Sequence, residues 1–451
     1  MTRPGAQTAE IAAGSVDTVI DEARVAPRHV MVLVLSLLVM AADGFDNGAL
    51  AFAAPYLRRE LDLSGTELGV LLSGSIAAGF FGPPLFGSLA DRWGRRPVII
   101  GGTLLFGLLT LAVVATTGFT SLLLLRMLGG VALAGTLPVV ATHNNECAPR
   151  RYRASLVAVT FTGLTLGGAL PGVVAAALVP QYGWHVLFVV GGLFPMVVAA
   201  LMLFLLPESL RFLAARPERR IQLDRELRLY RLAATHAVAS PHMAEPARRA
   251  SLGELLRGEL AVLTPLYWLS NFAALAGFYF MIQWLPTLLG DLGLPPARAA
   301  LAAASFNAAG AVGGLVIMRL LDRYGFLPAA VLFGVGIPAV AAVGVTGLPP
   351  AVTVFAVALS GFCVLGANIG NIATEGNIYP TGVRGRGVGL CFAMGRLGGG
   401  LGPLLGGTAV SAGFSPSAIF AMVAAAPLLG LMAALAIVPR YRRVVVRMGA
   451  A

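Results

Sequence analysis

The sequence contains no lysine: all 32 basic residues are arginine. That absence reads as coding bias rather than as chemistry. Charge of any kind is scarce, with charged residues at 12% against roughly 25% in a soluble domain. Hydrophobic residues make up 57%, more apolar surface than a soluble fold of this length could hide. A bilayer accepts such surface on the outside of the protein. Cysteine is nearly absent as well. Cys147, Cys363 and Cys391 lie in no CxxC or His-rich setting, which excludes a disulfide framework and a metal site. No HExxH and no convergent nucleophile–base set occurs, so a membrane-embedded enzyme is excluded and no cofactor is implied. A receptor with its own signalling domain is excluded too, because the only long polar segment, 207–258, is too short for one.

What is present is a series of apolar runs long enough to cross a bilayer. They fall at 30–54, 67–90, 97–117, 121–145, 155–179 and 185–206, then at 260–289, 297–319, 327–347, 351–378, 386–411 and 416–438. The first exceeds a signal-peptide core. The net charge is +11, and in a soluble protein that would suggest nucleic acid. Here the arginines sit in short loops, including Arg24, Arg28, Arg92, Arg95, Arg96, Arg150, Arg151 and Arg153, then the segment 207–258, Arg323, Arg384, Arg386 and the tail from Arg440 to Arg447. The opposite loops near 180–184, 348–350 and 412–415 carry none. Arg58, Arg59 and Arg298 are exceptions, the first two beside Glu60 and Asp62. By the positive-inside rule both termini are cytoplasmic in an inner membrane, and the partner is lipid rather than nucleic acid.

The chain aligns with itself at an offset of 231 residues, the distance from Asp91 to Asp322. The same offset pairs Arg92 with Arg323, Gly94 with Gly325, Pro97 with Pro328, Pro55 with Pro286, Pro149 with Pro380 and Arg153 with Arg384. Six spans per half keep the orientation, so the repeat is parallel, and solute sites in such proteins lie near the midplane between the halves. Features shared by both halves read as scaffold. Polar residues found in one half only are the candidates for handling solute and protons.

The segment Gly87-Ser-Leu-Ala-Asp91-Arg92-Trp-Gly94-Arg95-Arg96-Pro97 joins the second and third spans. Gly87 would permit close helix packing and Gly94 a tight turn. Asp91 would sit near a helix N-terminus, where the dipole favours an anion. The arginines would pair with acids on neighbouring helix ends, latching the two halves in one state and releasing them in another. This segment closely resembles the loop signature of the major facilitator superfamily, and Leu320-Leu-Asp322-Arg323-Tyr-Gly325-Phe-Leu-Pro328 resembles its weakened second copy. Three further segments resemble the aromatic acid:proton symporter family. They are Asp43-Gly-Phe-Asp46, Arg126-Met-Leu-Gly129-Gly130 with Glu146 at the far end of its span, and Gly387 to Pro403 around Arg396. His143-Asn144-Asn145 and Thr374-Glu375-Gly376 depart from that pattern. The family resemblance implies import of benzoate-like and hydroxylated aromatic carboxylates with protons.

An ionisable group inside a span is costly unless paired or solvated, so each needs a reason. Asp43 and Asp46 lie three residues apart on one helix face, with Asp43 roughly 20 Å into its span. Their repeat counterparts are Ala274 and Gly277. Two carboxylates in one desolvated site cannot both ionise cheaply, which makes the pair a candidate proton site. Arg396, whose counterpart is Thr165, can grip a carboxylate with two parallel hydrogen bonds; the alternative is a standing ion pair with Asp43 or Asp46. Arg126 either acts on the first span or snorkels. Glu146, about 30 Å further along, is too far to pair with it and reads as a partner of the 92–96 arginines. His143 reads as a satisfied structural histidine, with a proton relay as the alternative, and Glu375 as a gate residue or one that reaches water. Tyr279, among Phe278, Phe280 and Trp284, is a candidate to stack on a substrate ring. Asn307, among Asn271, Gln283, Asn368 and Asn371, is a candidate to read its hydroxyls.

The sequence therefore predicts an all-α membrane protein of twelve spans in two six-helix halves. Its parts are a cytoplasmic tail 1–28, bundles 29–206 and 259–438, a cytoplasmic linker 207–258 and a tail 439–451. The expected activity is proton-coupled import of an organic anion, an aromatic carboxylate, by a monomer. Asp43 and Asp46 are the proton candidates, and Arg396, Tyr279 and Asn307 the substrate candidates. Gly87, Asp91, Arg92, Gly94, Arg95, Arg96, Arg126, Glu146, Asp322 and Arg323 are the gating candidates. The rival is a proton-coupled exporter of drugs or metabolites. Its Gly-rich fifth-span signature is only partly matched by Gly163 to Gly172, which leans toward import.

Overall fold

The computed structural model describes residues 20–21, 23, 25–149, 151–230 and 252–449. Most of the expected N-terminal tail, part of the linker, Arg24 and Arg150 lie outside the described residues. The first half contains α1 (Pro27–Glu60), α2 (Gly65–Trp93), α3 (Arg95–Ala115), α4 (Phe119–Cys147), α5 (Arg153–Tyr182) and α6 (His185–Leu205). The second contains α7 (Leu260–Asp291), α8 (Pro296–Tyr324), α9 (Leu327–Val343), α10 (Pro350–Ile378), α11 (Thr381–Ser411) and α12, which begins at Pro416–Val423 and resumes as Ala425–Gly449. Two short helices, Leu210–Ala214 and Arg220–Leu229, occupy the described part of the linker.

Among the described residues eleven helices are long and apolar enough to cross a membrane. The twelfth expected span, α9, has 17 residues, about 25 Å at helical rise, which falls just short of a full hydrocarbon thickness. The helices also overrun the apolar runs that announce them. Arg58 and Arg59, expected in a loop, form the last turn of α1, and Arg58 lies 3.9 Å from Asp291 at the end of α7. The expected tail 439–451 continues α12 as helix to Gly449. Local signals set several ends. Ser64 and Glu67 exchange hydrogen bonds as a capping box at the start of α2. Gly94 and Gly325, one repeat apart, both take positive φ, at 110° and 63°, which only glycine adopts freely.

The repeat is visible in the packing. α1 lies along α5, α2 along α4 and α3 along α6, and α7 lies along α11, α8 along α10 and α9 along α12. Small residues allow the closest of these approaches. A Cβ at Gly167 would meet the backbone oxygen of Ala41, and one at Gly398, a repeat away, would meet that of Phe272. Large apolar side chains such as Phe204, Leu166, Phe355 and Leu405 stay exposed on the outside, as lipid-facing positions do.

The halves meet through α2 with α11, α5 with α8 and α1 with α7. This joint is closed at the end opposite the arginine-rich loops. There Thr66 donates to Ser411 Oγ at 2.9 Å, and Gln283 Nε2 donates to the Leu72 carbonyl at 3.3 Å. One apolar core, running from Leu50 and Leu72 to Met281, Trp284 and Ala302, spans both halves at that end. Toward the arginine-rich end the cores part. One, around Leu35, Phe86 and Val198, is confined to the first half, and another, around Leu263, Phe326 and Tyr441, to the second. The bundle is thus sealed at one end and divided at the other.

Candidate functional site

α1 carries Asp43 as the seventeenth of its 34 residues, at mid-helix. Asp43 is half-buried, and its Oδ1 accepts from Asn47 Nδ2 at 3.0 Å, one turn along. Asp46 turns a different way. It is buried, and Arg126 of α4 grips it with Nη1 on Oδ1 at 2.5 Å and Nη2 on Oδ2 at 2.8 Å. The two carboxylates that share a helix face are therefore divided: one is locked to a cation and the other is not. Arg126 is no snorkelling residue; its guanidinium also lies 5.9 Å from the Phe188 ring centroid.

α11 carries Arg396 at its own midpoint, the sixteenth of 31 residues. Its guanidinium packs against α2 where Gly79–Phe81 tightens into a 3₁₀ turn; a Cβ at Gly79 would lie 2.9 Å from Nη1. It sits 5.2 Å from the Phe392 ring centroid. Among the described residues Arg396 makes no ion pair with Asp43, Asp46 or any other carboxylate. Asp43, Tyr279 and Arg396 lie on α1, α7 and α11; α1 and α7 meet at the joint between the halves, and α11 lies along α7. Tyr279 is half-buried and rests on Gly399. Its neighbours Phe280 and Trp284 belong to the core, with Trp284 Nε1 donating to the Pro403 carbonyl at 2.9 Å.

Other candidates take structural places. Asn307 is buried and donates to the Gly168 carbonyl at 3.3 Å, joining α8 to α5 across the halves. His143 is buried with Nε2 2.9 Å from the Pro207 carbonyl. Glu375 does not reach water: it is buried and accepts from Asn271 Nδ2 at 3.2 Å. Arg384 Nε donates to the Tyr379 carbonyl at 3.2 Å. Among the described residues no group of His, Cys, Asp or Glu is arranged to hold a metal.

At the arginine-rich end, Arg95 meets Glu146 through two 3.0 Å bonds, Nε to Oε2 and Nη2 to Oε1. Two expectations need correction here. Asp91 does not serve a helix N-terminus; it is exposed and pairs with Arg95 at 3.2 Å. The start of α3 is capped by Glu208, whose Oε1 accepts from the Arg95 and Arg96 N–H groups at 2.9 and 3.1 Å. Burial pushes the Glu208 carboxyl above the ordinary carboxylate range, while N–H bonds from Ser209, Arg96 and Arg95 and the Arg95 charge pull it back. Gly87 is not a packing site either, since a Cβ there would meet nothing within 4 Å. Helical periodicity turns it away from α4; the close approach is at Gly82, whose Cβ would meet Gly135 of α4. Arg216 of the linker donates to the Asp91 and Arg92 carbonyls at 3.2 and 2.7 Å. Among the described residues this cluster bonds only to the first half and the linker. Asp322 and Arg323 hold the equivalent place at the end of α8.

Four polar residues with site or joint roles stand out only in three dimensions: Asn47, Glu208, Thr66 and Ser411. Asn47 had a usable signal, an amide one turn from Asp43. Glu208 follows directly on an apolar run, but nothing in its spacing says which helix it caps. The Thr66–Ser411 contact joins residues 345 apart, beyond any local pattern.

The profile of the Major Facilitator Superfamily matches residues 36–374 and 267–447. The chain is 34% identical over 412 residues to the gallate transporter of Pseudomonas putida, covering 90% of each. It is 33% identical over 394 residues to the 4-hydroxybenzoate transporter of Pseudomonas aeruginosa, covering 86% of this chain and 88% of that one. Among solved structures it is similar to a bacterial homolog of the human lysosomal transporter Spinster, inward-facing and occupied (TM-score 0.72, 18% identity, 94% and 99% covered). It is also similar to the xylose transporter of E. coli, partially occluded and inward open (TM-score 0.70, 16% identity, 91% and 97% covered).

Proposed function

The chain belongs to the major facilitator superfamily and, within it, to the family of the aromatic acid transporters; from that premise we propose that it imports an aromatic carboxylate with a proton by alternating access. The observation that carries the reading is that two mid-helix charges stand in opposite halves, Asp43 on α1 and Arg396 on α11, with neither in an ion pair among the described residues. The gallate and hydroxybenzoate relatives support an aromatic acid as the solute.

Charge balance supplies the coupling. In the empty carrier Asp43 and Arg396 offset each other. Proton uptake by Asp43 leaves the guanidinium uncompensated, and a substrate carboxylate restores neutrality. Both the empty and the fully loaded seam are then neutral. A half-loaded seam carries a net charge, which is costly to enclose at low dielectric. Only the empty and fully loaded forms close readily, so one proton accompanies one monoanion. Tyr279 stacks on the ring. Asp46 with Arg126 forms a standing neutral pair that fixes α1 to α4, and Asn307 belongs to the α5–α8 joint rather than to the substrate.

The positive-inside rule puts the arginine-rich end, and with it both termini, in the cytoplasm of the inner membrane. The divided end is then the inward, releasing one. The protein works as a monomer, its seam lying within one chain, with the halves 29–206 and 259–438 rocking about it. Uptake of a labelled hydroxybenzoate into proteoliposomes tests the substrate class. Competition by benzoate-like acids should exceed that by the matching carboxamides by at least about tenfold, and sugars should not compete. Equal competition by carboxamides would sink the carboxylate assignment.

A further inference from the structure

At the sealed end the two halves do not fill the space between them. The 231-residue offset pairs Tyr56 of α1 with Thr287 of α7, and Arg59 with Gly290. One wall thus carries an aromatic ring and a long cation where the other carries a hydroxyl and no side chain. A Cβ at Gly290 would meet nothing within 4 Å. A cavity of about 170 Å³ lies here between α1, α5, α7 and α8, two helices from each half.

The cavity has two chemically different ends. Its floor is apolar, with Phe52, Ala299 and Ala300 all buried. Its rim holds the exposed Arg59 and Asp291. Asp291 lies 3.9 Å from Arg58, which offsets its charge and leaves the Arg59 guanidinium as the surplus at the rim. Glu60 does not line the cavity and accepts instead from Trp184 Nε1 at 2.6 Å. On the α7 wall Thr287 is buried, and its Oγ1 has no hydrogen-bond partner among the described residues. A buried hydroxyl without a partner is costly, so this wall holds a polar group that a ligand would satisfy. An apolar cavity of about 150 Å³ takes up one benzene ring, and this one is of that size. An apolar floor, a waiting hydroxyl and a cation at the rim fit an acid built on a single aromatic ring.

We propose that this cavity is a second binding site for a monocyclic aromatic carboxylate, an outer site that the acid occupies before it reaches Arg396. The order of the two sites rests on the importer reading; binding at the outer one does not. The ring lies on Phe52 beside Tyr56, the carboxylate meets Arg59, and Thr287 donates its hydroxyl to the bound acid. Arg59 follows Asp43 on the same helix at a distance of about 24 Å by helical rise, so the two sites are separate. Both halves supply walls to the outer site. Parting of the halves at this end therefore opens its floor toward Asp43 and Arg396.

Equilibrium dialysis of the full chain in detergent against labelled 4-hydroxybenzoate tests the proposal. Arg396→Gln isolates the outer site. Affinity for the acid in this background should fall about tenfold on adding Arg59→Gln, the effect of losing a charge-assisted hydrogen bond. Binding should be lost on adding Gly290→Leu, which fills the cavity from a position where the backbone has room. Labelled 4-hydroxybenzamide should not respond to Arg59→Gln. Gly290→Leu acts through volume rather than charge and keeps the test alive if Arg59→Gln folds poorly. No binding by Arg396→Gln, or binding indifferent to both added substitutions, would overturn the outer site. The importer reading fails separately: equal binding by the parent and Arg396→Gln would sink the role of Arg396, while Arg59 and Gly290 would still decide the outer site.

Discussion

Arg126 closes on Asp46 with both Nη atoms, at 2.5 and 2.8 Å, while Asp43, one turn earlier on the same helix, accepts a neutral hydrogen bond from Asn47. One turn of helix thus separates a carboxylate that is electrostatically finished from one that is not. The first anchors the scaffold, and the second is left to exchange its counter-charge.

Breaking the finished pair should destabilise the protein rather than merely uncouple it. Asp46→Asn leaves a buried guanidinium uncompensated, a loss of about 3–5 kcal/mol in comparable pairs. Thermal unfolding in detergent should show a much larger drop for Asp46→Asn than for Asp43→Asn. The double variant Asp46→Asn/Arg126→Gln should recover part of it. Equal, small drops for the two aspartates would contradict the division.

Arg396 should discriminate by charge. Arg396→Gln is expected to weaken binding of a hydroxybenzoate by at least about tenfold, the value of a charge-assisted hydrogen bond. Binding of the corresponding neutral carboxamide should hardly change. Calorimetric titration of the two ligands separates this from a general loss of fold, which would weaken both.

The sealed end should be a working gate. Thr66 and Ser411 touch across the halves, so cysteines at both positions should cross-link readily. Transport should stop on oxidation and return on reduction. The three native cysteines are all buried and should not interfere. Full uptake by the cross-linked protein would contradict alternating access through this seam.

Glu208 should leave a signature in the pH dependence of stability. Its carboxyl is raised above the ordinary carboxylate range by burial, so the folded protein binds its proton more tightly than the unfolded chain does. Stability from this group is then greatest at low pH and falls as pH rises through the window from the ordinary value to the raised one. Glu208→Gln keeps an acceptor for the α3 N–H groups and removes the titration. Melting curves across mildly acidic pH should slope less in this variant than in the parent.

Much of this was legible in the sequence because the bilayer imposes such a strong code. Apolar length announced the spans, and the 231-residue repeat separated Asp91 and Asp322 from the unrepeated Asp43 and Arg396. The site was legible as a list of costly residues but not as a set of partners. That Arg126 takes Asp46 and leaves Asp43 depends on which way α1 and α4 turn toward each other, and residues 80 apart carry no local trace of that. The Gly87 expectation failed for a related reason: a glycine in a loop signature says nothing of which helix face it occupies. Glu208 is not legible because a single acid after a span looks like any loop residue until the helix start it caps is in place.

The central claim is that Asp43 carries the proton that accompanies the substrate. Proteoliposomes with a labelled hydroxybenzoate outside, an acidic exterior and the membrane potential clamped at zero test it most directly. The parent protein should accumulate substrate under the pH gradient and show no accumulation under a potential alone. Asp43→Asn should exchange substrate across the membrane yet fail to accumulate it at any gradient. Gradient-driven accumulation by Asp43→Asn equal to the parent would contradict the account.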